Sequence, residues 1–136
     1  MAKEIFVDAS AWIALVNEKD NRHDEAVRIY PRLFREYQNL VTTNLVVAES
    51  HVALRGQVGF VRAMGFLLKI RTSGRVLRVL STEKLETQAE AILQRYDDQD
   101  LSYTDAVSFA VMKERGITDV FTYDPPFRVM GFRMIG

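Results

Sequence analysis

Short apolar runs alternate with longer stretches of helical periodicity along the chain. Runs of β-branched and aromatic residues predict strands at Ile5–Val7, Leu40–Val41, Val76–Leu80, Val120–Tyr123 and Phe132–Ile135. Helical segments separate the first four of these strands, which is typical of βαβ crossovers. The pattern therefore predicts a single α/β domain over residues 1–136, with a mostly parallel central sheet and helices on both faces.

The helical segments carry apolar residues at spacings of three and four, mixed with charged residues. They are Ala9–Val16, Asn21–Gln38, Asn44–Leu54, Gln57–Thr72, Thr82–Tyr96 and a last helix from Ser102 to Gly116. Ser10 is a candidate cap of the first helix, and Pro31 predicts a kink or break in the second. Thr43 or Asn44 can cap the third helix, and Gly56 is expected to close it.

The stretch Asp100–Met112, DLSYTDAVSFAVM, predicts the most distinctive helix of the chain. Ser102 and Asp105 form the S-x-x-D pattern of a capping box, and the residues that follow are almost all apolar. A helix that is apolar on every side is a buried helix. Asp105 then lies on the first turn of a core element, where a carboxylate is also favoured simply by the helix dipole.

Three further acids stand at positions that predict a common site. Asp8 and Asp124 each end an apolar strand, and ligands of α/β sheets bind at the carboxyl ends of strands. Plainer roles remain open, because Asp8 can cap a helix and Asp124 can start a turn before Pro125-Pro126. Glu49 is spaced so that it falls on or beside the inward face of its helix, where an unpaired carboxylate is costly.

Right-handed crossovers bring Asp8, Glu49, Asp105 and Asp124 to one end of the sheet. Four converging acids without a neutralising partner require cations, and hard oxygen ligands suit Mg²⁺ or Mn²⁺. Such ions can activate water and stabilise the leaving oxygen of a phosphodiester. A phosphatase of the aspartyl type would carry D-x-D after the first strand, whereas this chain has Asp8-Ala9-Ser10. A receiver domain would carry paired acids there.

The composition of the chain excludes some kinds of site and indicates the cellular location and the charge of a partner. The chain has 136 residues and no cysteine, which excludes disulfides and cysteine-zinc sites and fits a cytoplasmic location. The N-terminus has no apolar signal core, and no apolar run reaches the roughly 18 residues of a membrane span. Between Arg55 and Leu80 there are six basic residues and no acid, which predicts an anionic partner.

The pieces FVDASAWIAL, LVVAES, DLSYTDAVSFAVM and FTYDPPF resemble, in order and spacing, the PIN domain of VapC-type toxin ribonucleases. The resemblance covers essentially the whole chain. It implies that Asp8, Glu49, Asp105 and Asp124 are the acidic metal-binding quartet of a Mg²⁺- or Mn²⁺-dependent endoribonuclease. It also implies an RNA substrate, a cognate antitoxin and a homodimer. By the same resemblance Ser10 and Thr122 are hydroxyls near the acids, and Asp100 is a possible accessory.

Two expectations concern the binding surfaces, and one alternative function stays open. Arg71, Arg75 and Arg78 are the predicted phosphate contacts. The segment Asn21–Gln38, through Ile29, Phe34 and Tyr37, is the predicted wall of a groove for an amphipathic antitoxin helix. The alternative is a non-catalytic PIN-like module that binds RNA or protein, and the presence of all four acids favours the enzyme.

Overall fold

The computed structural model describes residues 3–136, and a sheet of five parallel strands lies at its centre. The strands are β1 (Glu4–Val7), β2 (Asn39–Thr43), β3 (Val76–Val79), β4 (Asp119–Phe121) and β5 (Arg133–Ile135). Their order across the sheet is β3-β2-β1-β4-β5. The predicted parallel α/β architecture is therefore confirmed.

Helices connect every pair of consecutive strands. They are α1 (Ala9–Val16), α2 (His23–Glu36), α3 (Asn44–Val58), α4 (Phe60–Thr72), α5 (Glu83–Arg95), α6 (Tyr103–Arg115) and α7 (Pro126–Val129). The chain moves from β1 outward to β2 and β3, and then returns to add β4 and β5 on the other side of β1. Right-handed crossovers then place α1 to α4 on one face and α5 to α7 on the other. Within residues 3–136, no helix combines the length and the apolar character needed to cross a bilayer.

The reversal of direction falls between β1 and β4, where ligands of open α/β sheets bind. Both strands are fully buried in their apolar positions, and α6 is buried from Ala106 to Met112, as its sequence predicts. The capping box of Ser102 and Asp105 is present. Gly116 ends the helix in the left-handed conformation, with φ of 68°, which glycine adopts at low cost.

The boundary between α3 and α4 differs from the prediction. Gly56 does not close α3, which continues to Val58, and Gly59 separates the two helices at a φ of 93°. The sequence offers two glycines three residues apart, and only one of them has the backbone angle that requires glycine. Gly56 is exposed inside the helix and marks no boundary.

The prolines also behave differently from the prediction. Pro31 neither ends α2 nor splits it, and both Pro31 and Val27 are exposed. Proline has no N–H to donate to the Val27 carbonyl. That carbonyl lies on the exposed side of the helix, where water can donate the hydrogen bond instead. Pro125 and Pro126 do more than form a turn, because they start α7, where a missing N–H costs nothing.

A buried carboxylate at the amino end of the sheet ties its strands together. Asp119 opens β4, and its two oxygens accept hydrogen bonds from Arg133 of β5 at 3.0 and 2.9 Å. The Tyr37 hydroxyl donates to the same carboxylate at 2.6 Å. These bonds, led by those from Arg133, outweigh burial and lower the pKa of Asp119 from 3.8 to about 2.

This lowered pKa predicts a specific response to acid. A depressed folded-state pKa contributes stability that is present above the unfolded value near 3.8 and is lost as pH falls through about 2. We expect Asp119→Asn to lower the free energy of unfolding at neutral pH by only about 1–2 kcal/mol, since the Arg133 side chain is exposed and water screens its charge. We also expect its stability to fall less steeply than that of the wild type between pH 4 and 2, as measured by urea unfolding.

The exposed Asp98 provides a matched control, because its conversion to asparagine removes the same charge without removing these hydrogen bonds. Equal acid sensitivity of Asp119→Asn and the wild type would contradict the assignment of this stability to Asp119.

Candidate metal centre

Asp8 lies directly after β1 and joins the two strands on either side of the reversal. Its backbone N–H donates to the Phe121 carbonyl of β4 at 3.1 Å. Its own carbonyl accepts from the N–H groups of Ala11 and Trp12 and so begins α1. The predicted cap by Ser10 is wrong, because α1 has no side-chain cap and its N-cap residue is Asp8. The Asp8 side chain is therefore held at the carboxyl edge of the sheet, where it is 2% exposed.

A chain of hydroxyl groups fixes the Asp8 carboxylate. The Thr122 hydroxyl donates to Asp8 Oδ2 at 3.1 Å, and it lies 3.2 Å from the Ser10 hydroxyl. Because Thr122 has a single hydroxyl proton, Ser10 must be the donor in the second bond. Ser10 accepts from the Tyr123 N–H at 2.9 Å, and Thr122 accepts from the Asp124 N–H at 3.1 Å. The two hydroxyls lie beside the acids as the resemblance implies, but no sequence signal marks the two backbone donors.

The environment of Asp8 disfavours its charge. Burial raises the pKa of Asp8 to about 8, against a backbone hydrogen bond from Ala9 that lowers it. The negative charges of Asp124 and Asp105 also contribute to this raised pKa. Three of the four predicted acids thus lie close enough for their negative charges to repel one another.

Asp105 enters the same cluster from the start of α6. Its Oδ2 accepts from the Ser102 N–H at 3.3 Å, while its own N–H donates to Ser102 Oγ at 3.0 Å. Burial raises the pKa of Asp105, the bonds to Ser102 lower it, and the charges of Asp124 and Glu49 raise it. The capping role and the site role are therefore compatible, because the cap uses Oδ2 alone.

The prediction that Glu49 falls on or beside the inward face of α3 was wrong. The buried residues of this helix are Val46, Val47, Ser50 and Leu54, whereas Glu49 is exposed. The true core face is shifted by one residue, since Ser50 can be buried by donating its hydroxyl to the Val46 carbonyl at 2.7 Å. Glu49 still lies near enough to Asp105 for its charge to raise the pKa of that residue.

Asp124 follows β4 and is positioned by α7. Its carbonyl accepts from the Phe127 N–H at 3.4 Å, and Phe127 is fully buried. The Phe127 ring packs against Phe6 and Phe109, with centroids at 6.5 and 4.9 Å. The aromatic core under the sheet edge therefore anchors the short segment that carries Asp124.

The structure brings all four predicted acids to one region, in an open arrangement. Within residues 3–136, none of them forms an ion pair with Lys or Arg. In the same part of the chain, no three acidic or histidine side chains stand close enough to enclose a metal. Mg²⁺ does not require such a cage, because it keeps several waters and binds through one or two carboxylates.

Asp100, the possible accessory to the four acids, is exposed in the loop before α6.

The predicted phosphate contacts of the basic stretch are not all available. Arg75 donates to the carbonyls of Phe34, Tyr37 and Gln38 and thus caps the end of α2, so its prediction as a phosphate contact was wrong. Arg71 lies in the last turn of α4, directly before β3. Both residues are therefore at the amino end of the strands, whereas the acids are at the carboxyl end.

Comparisons with known proteins bear on the family and the fold of the chain. A sequence profile described as the PIN domain matches residues 5–133. The 23S rRNA-specific endonuclease VapC20 of Mycobacterium tuberculosis is 36% identical over 129 residues, which cover 94% of this chain and 95% of that protein. The crystal structure of VapC20, described as a sarcin-ricin loop cleaving toxin, matches with a TM-score of 0.85 over the same shares of the two chains.

More distant structures share the fold alone. FitAcB from Neisseria gonorrhoeae is 15% identical, with a TM-score of 0.65 over 97% of this chain and 96% of its own. PAE2754 from Pyrobaculum aerophilum is 23% identical, with a TM-score of 0.64 over 98% and 90%. These proteins therefore share the arrangement of strands and helices although their sequences have little in common with this chain.

Proposed function

This chain belongs to the PIN domain family, and on that premise we propose that it is a metal-dependent endoribonuclease, the toxin of a toxin–antitoxin pair. Asp8, Glu49, Asp105 and Asp124 are the proposed catalytic and metal-binding residues. The observation that carries the proposal is the buried Asp8 carboxylate, which accepts the Thr122 hydroxyl bond and is repelled by two further acids. Among residues 3–136, no Lys or Arg forms an ion pair with it. A buried carboxylate among like charges costs folding free energy unless it is protonated or compensated by a cation, and a bound metal ion supplies that compensation.

The donor set fits Mg²⁺ or Mn²⁺, since every candidate ligand is a carboxylate oxygen and the chain has no cysteine. When bound, the ion supplies Lewis acidity that activates water and stabilises the leaving oxygen of the phosphodiester. The protein holds the ligands in place. The hydroxyls of Thr122 and Ser10 fix Asp8, the capping box orients Asp105, and α7 presents Asp124. Glu49, exposed on α3, is the fourth proposed ligand.

The relative named above indicates the first RNA to test. VapC20 is named a 23S rRNA-specific endonuclease, and we propose large-subunit ribosomal RNA as the substrate of this chain. The experiment is to incubate purified ribosomes with the protein in Mg²⁺ or in EDTA and to map cleavage by primer extension. We expect a discrete cut in Mg²⁺ and none in EDTA. Uncut RNA in both would instead favour the non-catalytic binding module.

The partner is proposed to be a cognate antitoxin that binds an apolar groove. Ile29 and Tyr37 do not line it, contrary to prediction, because Ile29 is buried in the core and Tyr37 bonds Asp119. A groove of about 470 Å³ lies instead between α1, α2 and α4. Its lining includes Trp12, Val27, Tyr30, Pro31, Gly65 and Phe66, with Arg62 and Lys69 also present. An amphipathic helix with acidic flanks fits this combination of apolar walls and cations.

Gly65 allows the groove to be blocked without disturbing the fold. A Cβ at Gly65 meets nothing within 4 Å, and the same holds for Gly56 in α3. We expect Gly65→Gln and Gly56→Gln each to stabilise their helix by about 0.5–1 kcal/mol. Only Gly65→Gln is expected to weaken binding of the cognate antitoxin, by tenfold or more in calorimetry. Equal affinity of the two variants would place the partner elsewhere.

A homodimer and a cytoplasmic location complete the proposal, and both stay predictions. The dimer follows from the family resemblance and is measured by light scattering coupled to size-exclusion chromatography. The location follows from the proposed ribosomal RNA substrate.

A further inference from the structure

An exposed cation, Arg22, lies over the ring of a tyrosine that adjoins the acidic site in sequence. Arg22 is the residue before α2, and the N–H of its backbone donates to Asp20 Oδ1 at 2.8 Å, which fixes the turn. Its guanidinium carbon lies 5.0 Å from the centroid of the Tyr123 ring. Among residues 3–136, this guanidinium forms no ion pair within 4.0 Å and no hydrogen bond.

The Tyr123 ring, over which Arg22 lies, belongs to a residue that is hydrogen-bonded to the acidic site through its backbone. Tyr123 stands between Thr122, which bonds Asp8, and Asp124. Its backbone N–H donates to Ser10 Oγ, and its ring packs edge-on against Phe121 at 6.0 Å. Tyr123 therefore has a fixed position relative to the carboxylates, and the guanidinium stacked on it is held at the same edge of the sheet.

Stacking leaves the donors of Arg22 free for a ligand. A guanidinium attracted to an aromatic face keeps the N–H groups at its edge, and these match the geometry of a phosphate. Arg62 and Arg75, in contrast, donate hydrogen bonds to backbone carbonyls at the ends of α1 and α2. Arg22 is thus a pre-positioned cation next to a site that must receive a polyanion.

We propose that Arg22, held on the Tyr123 ring, binds a phosphate of the RNA that neighbours the phosphate at the carboxylates. This inference rests on the proposed ribonuclease function and assigns a substrate-positioning contact that lies outside the acidic quartet. Arg22 would contribute to RNA binding and register, while bond cleavage depends on the acids. The ring of Tyr123, and not its hydroxyl, is the part that Arg22 needs.

The experiment measures RNA binding in the catalytically disabled Asp8→Asn background, so that cleavage does not interfere. The probe is a fluorescein-labelled 30-nucleotide RNA hairpin, followed by fluorescence anisotropy in Mg²⁺ at several salt concentrations. We expect Arg22→Gln to weaken binding about three- to tenfold and to reduce the log–log salt slope by about 0.7–1, the range for the loss of one phosphate contact. Arg28→Gln is the matched control, because Arg28 is also exposed and lies on α2.

Two substitutions of Tyr123 distinguish the contribution of its ring from that of its hydroxyl. Tyr123→Leu is expected to reproduce the effect of Arg22→Gln, and Tyr123→Phe to bind as the unsubstituted protein does. If Arg22→Gln and Arg28→Gln give the same affinity and salt slope, the inference is overturned. The proposed function is judged separately, by whether the protein with Asp8 intact cleaves ribosomal RNA in Mg²⁺.

Discussion

Replacing Asp8 with asparagine is expected to reduce metal-dependent RNA cleavage by about three orders of magnitude. Asp8 is the most buried of the four acids and the one that the hydroxyl chain fixes in place. Asparagine has nearly the same shape, and its amide oxygen can still accept the Thr122 hydroxyl bond. It lacks the negative charge, however, and is a poor ligand for Mg²⁺ at a site that depends on charge.

The fold of this variant is expected to survive. Burial and the charges of Asp124 and Asp105 disfavour the Asp8 carboxylate, so a neutral amide relieves that repulsion in the metal-free protein. Thermal melts in EDTA therefore check that lost activity is not lost folding. Asp98→Asn, at an exposed position, is the control for loss of one charge. A Mg²⁺-dependent rate near that of the wild type in Asp8→Asn would remove Asp8 from the catalytic set.

Thr122→Val is expected to lower kcat by about ten- to a hundredfold, the range seen when a residue that orients a metal ligand is lost. Thr122 donates to Asp8 and accepts from Ser10 and from the Asp124 N–H, so valine leaves three groups without their partner. The side chains have similar volumes, and the packing around the buried position is therefore kept.

Thr122→Ser retains the hydroxyl and is expected to restore most of the activity. The measurement is kcat and KM for a labelled RNA, with a thermal melt of each variant. A merely structural role would lower stability in Thr122→Val while leaving kcat of the folded protein unchanged. That outcome would contradict the proposed orientation of Asp8 by the hydroxyl chain.

The sheet and most helices follow from local patterns of the sequence. Apolar runs separated by helical periodicity determine a parallel sheet through the handedness of its crossovers. The capping box at Ser102 and the left-handed Gly116 set the ends of α6, as expected from residue type alone. The position of Asp8 and Asp124 at one edge of the sheet was predictable, because acids that end parallel strands lie at the same edge.

Features that depend on tertiary contacts were predicted less well. The core face of α3 was misplaced by one residue because Ser50 looks polar but satisfies its hydroxyl within the helix. Arg75 looks like a phosphate contact, yet three backbone carbonyls at the end of a distant helix bind it. Arg22 has no sequence signal, since its stacking on Tyr123 depends on a contact between residues far apart in the chain.

The most direct test of the account is the location of Mn²⁺ by anomalous scattering in crystals of the wild-type protein grown with the ion. We predict a peak about 2.0–2.3 Å from carboxylate oxygens of Asp8 and of at least one further member of the quartet Glu49, Asp105 and Asp124. Crystals of Asp8→Asn at the same Mn²⁺ concentration should lack it or show it much weaker. A strong peak elsewhere, or none at saturating Mn²⁺, would contradict the assignment of these four acids as one metal centre.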